Sequence, residues 1–161
     1  MDNNLPPLSA ANIQLSLAEF LPYKLAKLSH QISDSLAKQY QQQFGLSVPE
    51  WRILVHVADM AARTSSYVSG KQITQAASLD KSTASRAVQS LVNKAYLIKH
   101  RDPADKRSAL LSLTIEGERL VQTIMPLAIE WQQALLQELS SKQLEDFNQV
   151  LDILSRKLND I

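Results

Sequence analysis

The amino-acid sequence predicts a mainly α-helical fold with one small β-hairpin, and three observations carry that reading. Apolar residues recur at spacings of three and four over most of the 161 residues, the stripe of an amphipathic helix. Capping residues (Ser, Thr or Asp) stand just ahead of the periodic stretches. The period breaks after Tyr96, where two short runs flank a turn that contains Pro103. At 45% hydrophobic residues the chain can bury a core, and its length suits about one domain.

Residues 1–11 read as a loose tail, because Pro6-Pro7 blocks a helix. From about Asn12 to Phe44, Leu21, Leu25, Leu28, Ile32 and Leu36 form one stripe, with Pro22 marking a kink or a fresh start and Gly45 a stop. Ser47-Val48-Pro49-Glu50 is a capping box that opens a second helix, about 48–62, with Trp51, Leu54, Val55 and Ala58 inward. Ser69 and Gln72 repeat the box ahead of a short helix, about 70–77, and Asp80 caps the next, about 81–95. Tyr96–Arg101 and Ser108–Leu113 then alternate as two strands around Asp102-Pro103-Ala104-Asp105, with Leu111 and Leu113 on one face. Thr114 starts a long helix to about 138, which Pro126 should bend. Ser140 and Gln143 box the last helix, to about Asn159.

Several function classes fall away. There is no cysteine, which removes disulfide scaffolds, thiolate zinc sites and cysteine nucleophiles and fits a reducing cytoplasm. Gly45, Gly70 and Gly117 stand too far apart to cradle a phosphate. His30, His56 and His100 are scattered, so neither a metal site nor a catalytic triad is expected, nor any cofactor. No run of 18 apolar residues exists, and the first ten residues lack a signal-peptide pattern, so a cytoplasmic chain without a membrane partner is expected.

The informative stretch is the middle. Between Lys71 and Arg107 lie eight basic residues and three acidic ones, which leaves nine basic and 13 acidic residues of the chain's 17 and 16 elsewhere. That asymmetry suggests a polyanion-facing module, with a solvated face as the bland alternative. Residues 70–95 have helix-turn-helix spacing, with Ala77-Ser78-Leu79-Asp80 as the turn. On the second helix Ala84, Val88, Leu91 and Ala95 fall on one side, and Ser82, Ser85, Arg86, Gln89 and Asn93 on the other. No Asp or Glu occurs between 81 and 95. Small hydroxyls permit close approach, while Arg86 and Gln89 suit bidentate contacts with guanine or adenine edges. Lys81 is placed to meet a phosphate, with Thr83 beside it. On the hairpin tip Arg107 suits a minor groove, with Asp105 holding it extended. The end helices carry Leu120, Ile124, Leu127, Leu135 and Leu139, then Leu144, Phe147, Val150, Leu151, Leu154 and Leu158. The central chain is too short to cover both rows, so a homodimer is expected.

Four segments then sharpen the reading. They are Leu79-Asp80-Lys81-Ser82-Thr83-Ala84-Ser85-Arg86, Leu91 to Ile98, Arg101-Asp102-Pro103-Ala104-Asp105-Lys106-Arg107, and Leu111-Ser112-Leu113-Thr114-Ile115-Glu116-Gly117. Together with Pro49-Glu50-Trp51-Arg52 they resemble the winged helix of the MarR (multiple antibiotic resistance regulator) family. The resemblance covers about residues 20–160, and its wing segment is the most specific part. It implies a winged helix-turn-helix over 46–114 and a helical dimerisation region over 12–45 and 115–161. It also implies a dimeric repressor on a pseudo-palindromic double-stranded DNA operator, released by a small aromatic or phenolic carboxylate effector. Where many relatives carry glycine this chain has Ala95, so a slightly different turn is expected there. The lack of cysteine excludes the thiol-oxidation mechanism of the family's peroxide-sensing branch.

The family places its ligand pocket at the junction of the first two helices. There Ser29, His30, Ser33, Trp51 and Arg52 could surround an aromatic acid, Arg52 pairing the carboxylate and Trp51 stacking on the ring. The alternative is a core Trp51, a solvated Arg52 and a surface His30. The competing function is a winged helix that binds protein, which should show apolar anchors where this stripe shows hydroxyls, Gln and Arg.

Overall fold

The structure is a computed structural model that describes residues 16–63, 67–103 and 109–160. The expected tail over 1–11, the loop residues Thr64 to Ser66 and the hairpin-tip residues Asp105 and Arg107 lie outside the described residues.

Helix α1 spans Leu21–Phe44, with Pro22 in its first turn. Of the two readings of Pro22, the fresh start is the one observed, since a turn at 17–19 precedes the helix. Gly45 ends it at φ 61°, the left-handed conformation that glycine adopts at least cost. Helix α2 spans Val48–Arg63. Its box is formed: Ser47 N–H donates to Glu50 Oε2 at 2.6 Å, and Glu50 N–H to Ser47 Oγ at 3.4 Å. The inward face carries Trp51, Ile53, Leu54 and Val57, whereas Val55 and Ala58 are only half-buried.

Strand β1 (Val68–Ser69) is an element the sequence did not announce. The second expected box does not form: Ser69 is the N-cap of the next helix and pairs with Leu110 in the sheet, but its side chain makes no cap bond. Helix α3 (Gly70–Ala76), helix α4 (Lys81–Asn93), strand β2 (Leu97–Arg101) and strand β3 (Ala109–Leu113) follow. The antiparallel sheet has the order β1-β3-β2, with Leu97 opposite Leu113 and Arg101 opposite Ala109. Helix α5 (Ile115–Leu136) runs continuously through Pro126, and helix α6 (Ser141–Leu158) starts on the full Ser140–Gln143 box.

The core lies where α2, α3, α4 and the sheet meet the ends of α1 and α5. Tyr40, Leu46, Ile53, Leu54, Val57, Ile73, Leu91, Leu111 and Ile124 are all but inaccessible. This is a winged helix-turn-helix flanked by long helices. Helix α6 buries none of its residues. No described helix is long and apolar enough to cross a membrane.

Candidate nucleic-acid interface

The turn between α3 and α4 is set by backbone bonds. Ala77 N–H reaches Ile73 O at 2.8 Å and Leu79 N–H reaches Thr74 O at 3.3 Å, with Ser78 at φ 51°. Asp80 then caps α4, its Oδ1 accepting from Ser82 N–H and Thr83 N–H at 2.9 Å each and from the Ser82 hydroxyl at 2.7 Å. Bonds from Thr83 and Ser82 hold the Asp80 carboxyl well below the usual carboxylate range.

Helix α4 buries Ala84, Ala87 and Leu91, with Val88 half-buried. Ala87 takes an inward place expected of Val88, and Ala95 lies beyond the helix. Lys81, Ser82, Ser85, Arg86, Gln89 and Asn93 are exposed together, whereas Thr83 is half-buried. Gln89 donates to Asn93 Oδ1 at 2.9 Å and Arg86 leans on Thr83 Oγ1 at 3.4 Å. These bonds hold the polar row in place and are easily exchanged for a partner's.

Glu50 anchors the far end of α4. It is 4% exposed and accepts from Ser90 Oγ at 2.7 Å and Lys94 Nζ at 2.6 Å. Lys94 also donates to Gly45 O at 2.9 Å. Burial works to raise the Glu50 pKa, but the bonds from Lys94, Ser90 and Ser47 outweigh it and bring it down to about 2. A cleft of about 390 Å³ separates this anchor from Arg86 and Thr83. A second, of about 610 Å³, lies on the other side of α4, against α3 and the sheet.

The expected ligand residues are only partly together. Trp51 is buried and stacks on Tyr40, ring centroids 5.0 Å apart at 17°. Burial pushes the Tyr40 phenol up to about 12, and the Arg52 charge only partly offsets this. Arg52 spans the junction, Nη2 reaching Ser33 Oγ at 3.3 Å and Nη1 the Ala77 carbonyl at 3.5 Å. His30 stands 3.3 Å from Asp34, both side chains more than half exposed, and Ser29 is exposed. No group of three or more His, Asp or Glu among the described residues is arranged to hold a metal.

The MarR family model matches residues 44–108. BilQ, an HTH-type transcriptional regulator of Clostridium symbiosum, is 31% identical over 88 residues, covering 55% of this chain and 59% of its own length. A crystal structure of a MarR/EmrR family transcriptional regulator from Acinetobacter sp. ADP1 superposes with a TM-score of 0.77 at 25% identity, over 91% of this chain and all of that one. Residues 44–108 thus match the MarR family model, and the fold is the one seen in MarR-family regulators. The fold also matches the S. aureus MepR–DNA complex, with a TM-score of 0.73 at 20% identity over 89% of this chain and 99% of that one.

Two features of the family pattern have physical reasons here. Ala95 does adopt the left-handed conformation, at φ 59°, so the altered turn expected from its side chain does not occur. Its N–H bonds Val92 O, and Tyr96 N–H bonds Leu91 O, the pairing of a Schellman ending. Gly117 is required by contact: a Cβ there would stand 2.1 Å from the Tyr96 carbonyl oxygen. Thr114 Oγ1 joins both places, donating to Ala95 O at 2.7 Å and accepting from Gly117 N–H at 2.9 Å. The Glu50–Lys94 tie was missed. Its only signal was a Glu already accounted for by the capping box and a Lys counted among surface charges.

Proposed function

We propose that this chain is a MarR-family, sequence-specific regulator of transcription that binds double-stranded DNA as a homodimer. The observation that carries the reading is the exposed, acid-free polar row of α4. Ser82, Ser85, Arg86 and Gln89 approach base edges in the major groove, while Lys81 meets phosphate with Thr83 at its side. On the wing, Arg107 enters the minor groove with Asp105 bracing it. BilQ, a transcriptional regulator, and MepR, solved in complex with DNA, agree with this role. Homodimerisation over 12–45 and 115–161 is supported by the exposed apolar side chains of Leu25, Leu28, Ile129, Phe147, Val150 and Leu151 on the end helices. The two copies of α4 then stand about 34 Å apart, one per half-site.

The same reading makes the protein a repressor that a small aromatic or phenolic acid releases. Arg52 favours it, because one guanidinium touches Ser33 on α1 and the Ala77 carbonyl at the helix-turn-helix. A carboxylate drawn to Arg52, with Ser29 and His30 at the rim, competes for both contacts. Trp51 contributes from within the core. Release follows only to the extent that the acid prefers the unbound spacing of the dimer.

Fluorescence anisotropy tests both parts, using duplex DNA from upstream of the protein's own gene, a scrambled duplex and added benzoate. Preference for the upstream duplex, weakened by benzoate in the wild type but not in Arg52→Ala, is expected. Equal binding to both duplexes would leave a distant operator or a protein-binding winged helix, and the absence of even salt-sensitive binding would favour the latter.

A further inference from the structure

Building on that reading, we infer that the cleft between α4 and the sheet seats the phosphodiester ridge of the duplex, with Lys71 and Lys99 as its outer clamps. Three lysines from three elements line this cleft: Lys71 in the first turn of α3, Lys81 at the start of α4 and Lys99 on β2. Its lining contains no acidic residue. All three lysines are exposed, and none forms an ion pair among the described residues. Lys99 stands opposite Leu111 in the β2–β3 register, so its side chain shares the sheet face that floors the cleft.

The position selects the occupant. A helix in the major groove and a hairpin tip in the adjacent minor groove straddle one sugar-phosphate strand, the ridge between the grooves. The space between α4 and the sheet is where that ridge passes. Cations on both walls that form no ion pair among the described residues, with Ser85 and Thr74 between them, match a row of phosphates. The apolar floor of Ala84, Val88 and Leu111 makes no demand on base identity. These contacts therefore set affinity and register, while base reading stays with Arg86 and Gln89.

The test is the salt dependence of binding by Lys71→Gln, Lys99→Gln and the double variant, on the upstream and scrambled duplexes. Each lysine removed should lower the slope of log affinity against log salt by about 0.9, hence about 1.8 per substitution in a dimer. The ratio of upstream to scrambled affinity should stay at the wild-type value. Lys142→Gln on α6, which does not line the cleft, should leave the slope unchanged. Wild-type slopes in the cleft variants would overturn the inference, as would a fallen ratio, which would make these lysines readers of sequence. Wild-type slopes with loss of benzoate binding would assign the cleft to a small organic anion. If the wild type binds neither duplex in a salt-dependent way, the DNA-binding reading itself fails, and the clamp with it.

Discussion

Lys94 Nζ lies 2.6 Å from Glu50 Oε1, joining the C-cap of α4 to the first turn of α2. Because Lys94 also holds the Gly45 carbonyl, the end of α1 is drawn into the same knot. One buried carboxylate thereby ties α4 to α2 and, through Lys94, to the end of α1. With its pKa at about 2 against an ordinary 4.5, Glu50 binds its proton more weakly folded than unfolded. Its contribution, about 3 kcal/mol, is complete above pH 4.5 and is lost as pH falls toward 2. Glu50→Gln should lower stability at neutral pH by about that amount and flatten the decline between pH 4.5 and 2, as read by urea unfolding across a pH series.

Ala95 sits at φ 59° on the solvent side of the turn into β2. A left-handed alanine costs about 1–2 kcal/mol, of which glycine's greater unfolded-state entropy takes back about half. Ala95→Gly should therefore stabilise the protein by about 0.5–1 kcal/mol in thermal or urea unfolding, with DNA affinity unchanged.

Gly117 gives the opposite result. The atom facing an added Cβ is a backbone oxygen, so no rotamer change relieves the contact. Gly117→Ala should destabilise by about 3 kcal/mol, at the upper end of overpacking effects. It should also loosen β2 and β3, visible as faster amide exchange at Leu97 and Leu113.

The helix α6 face tests the dimer. Phe147 and Leu151 lie one turn apart and are 48% and 36% exposed in the single chain. Phe147→Lys with Leu151→Lys should convert the dimer to monomer in sedimentation equilibrium while leaving the helical signal largely intact. A wild-type monomer at micromolar concentration would contradict the dimer.

Much of this was legible in the sequence, and the reasons differ by element. The caps at Ser47, Asp80, Thr114 and Ser140 act within a few residues, so their chemistry could be read directly and placed the helix starts. Ser69 stands at a helix start but makes no side-chain cap, and the strand it ends, two residues long, leaves no period to detect. Ile53 and Val57 were missed because several helical faces of α2 are apolar, and only packing chooses among them. Trp51 and Arg52 illustrate the limit for the site. Adjacent in sequence, they diverge in space, one into the stack with Tyr40 and the other to Ser33. The Lys71–Lys81–Lys99 grouping needed the sheet register to bring its members together.

The most direct test of the account is the discrimination ratio of Arg86→Ala with Gln89→Ala, measured by anisotropy on the upstream and scrambled duplexes at one salt concentration. If α4 reads bases, the wild type prefers the upstream duplex by at least about a thousandfold. The double variant should then lose at least about tenfold of that preference, with its binding to the scrambled duplex little changed. A double variant that keeps the wild-type ratio would contradict the assignment of α4 as the reading helix.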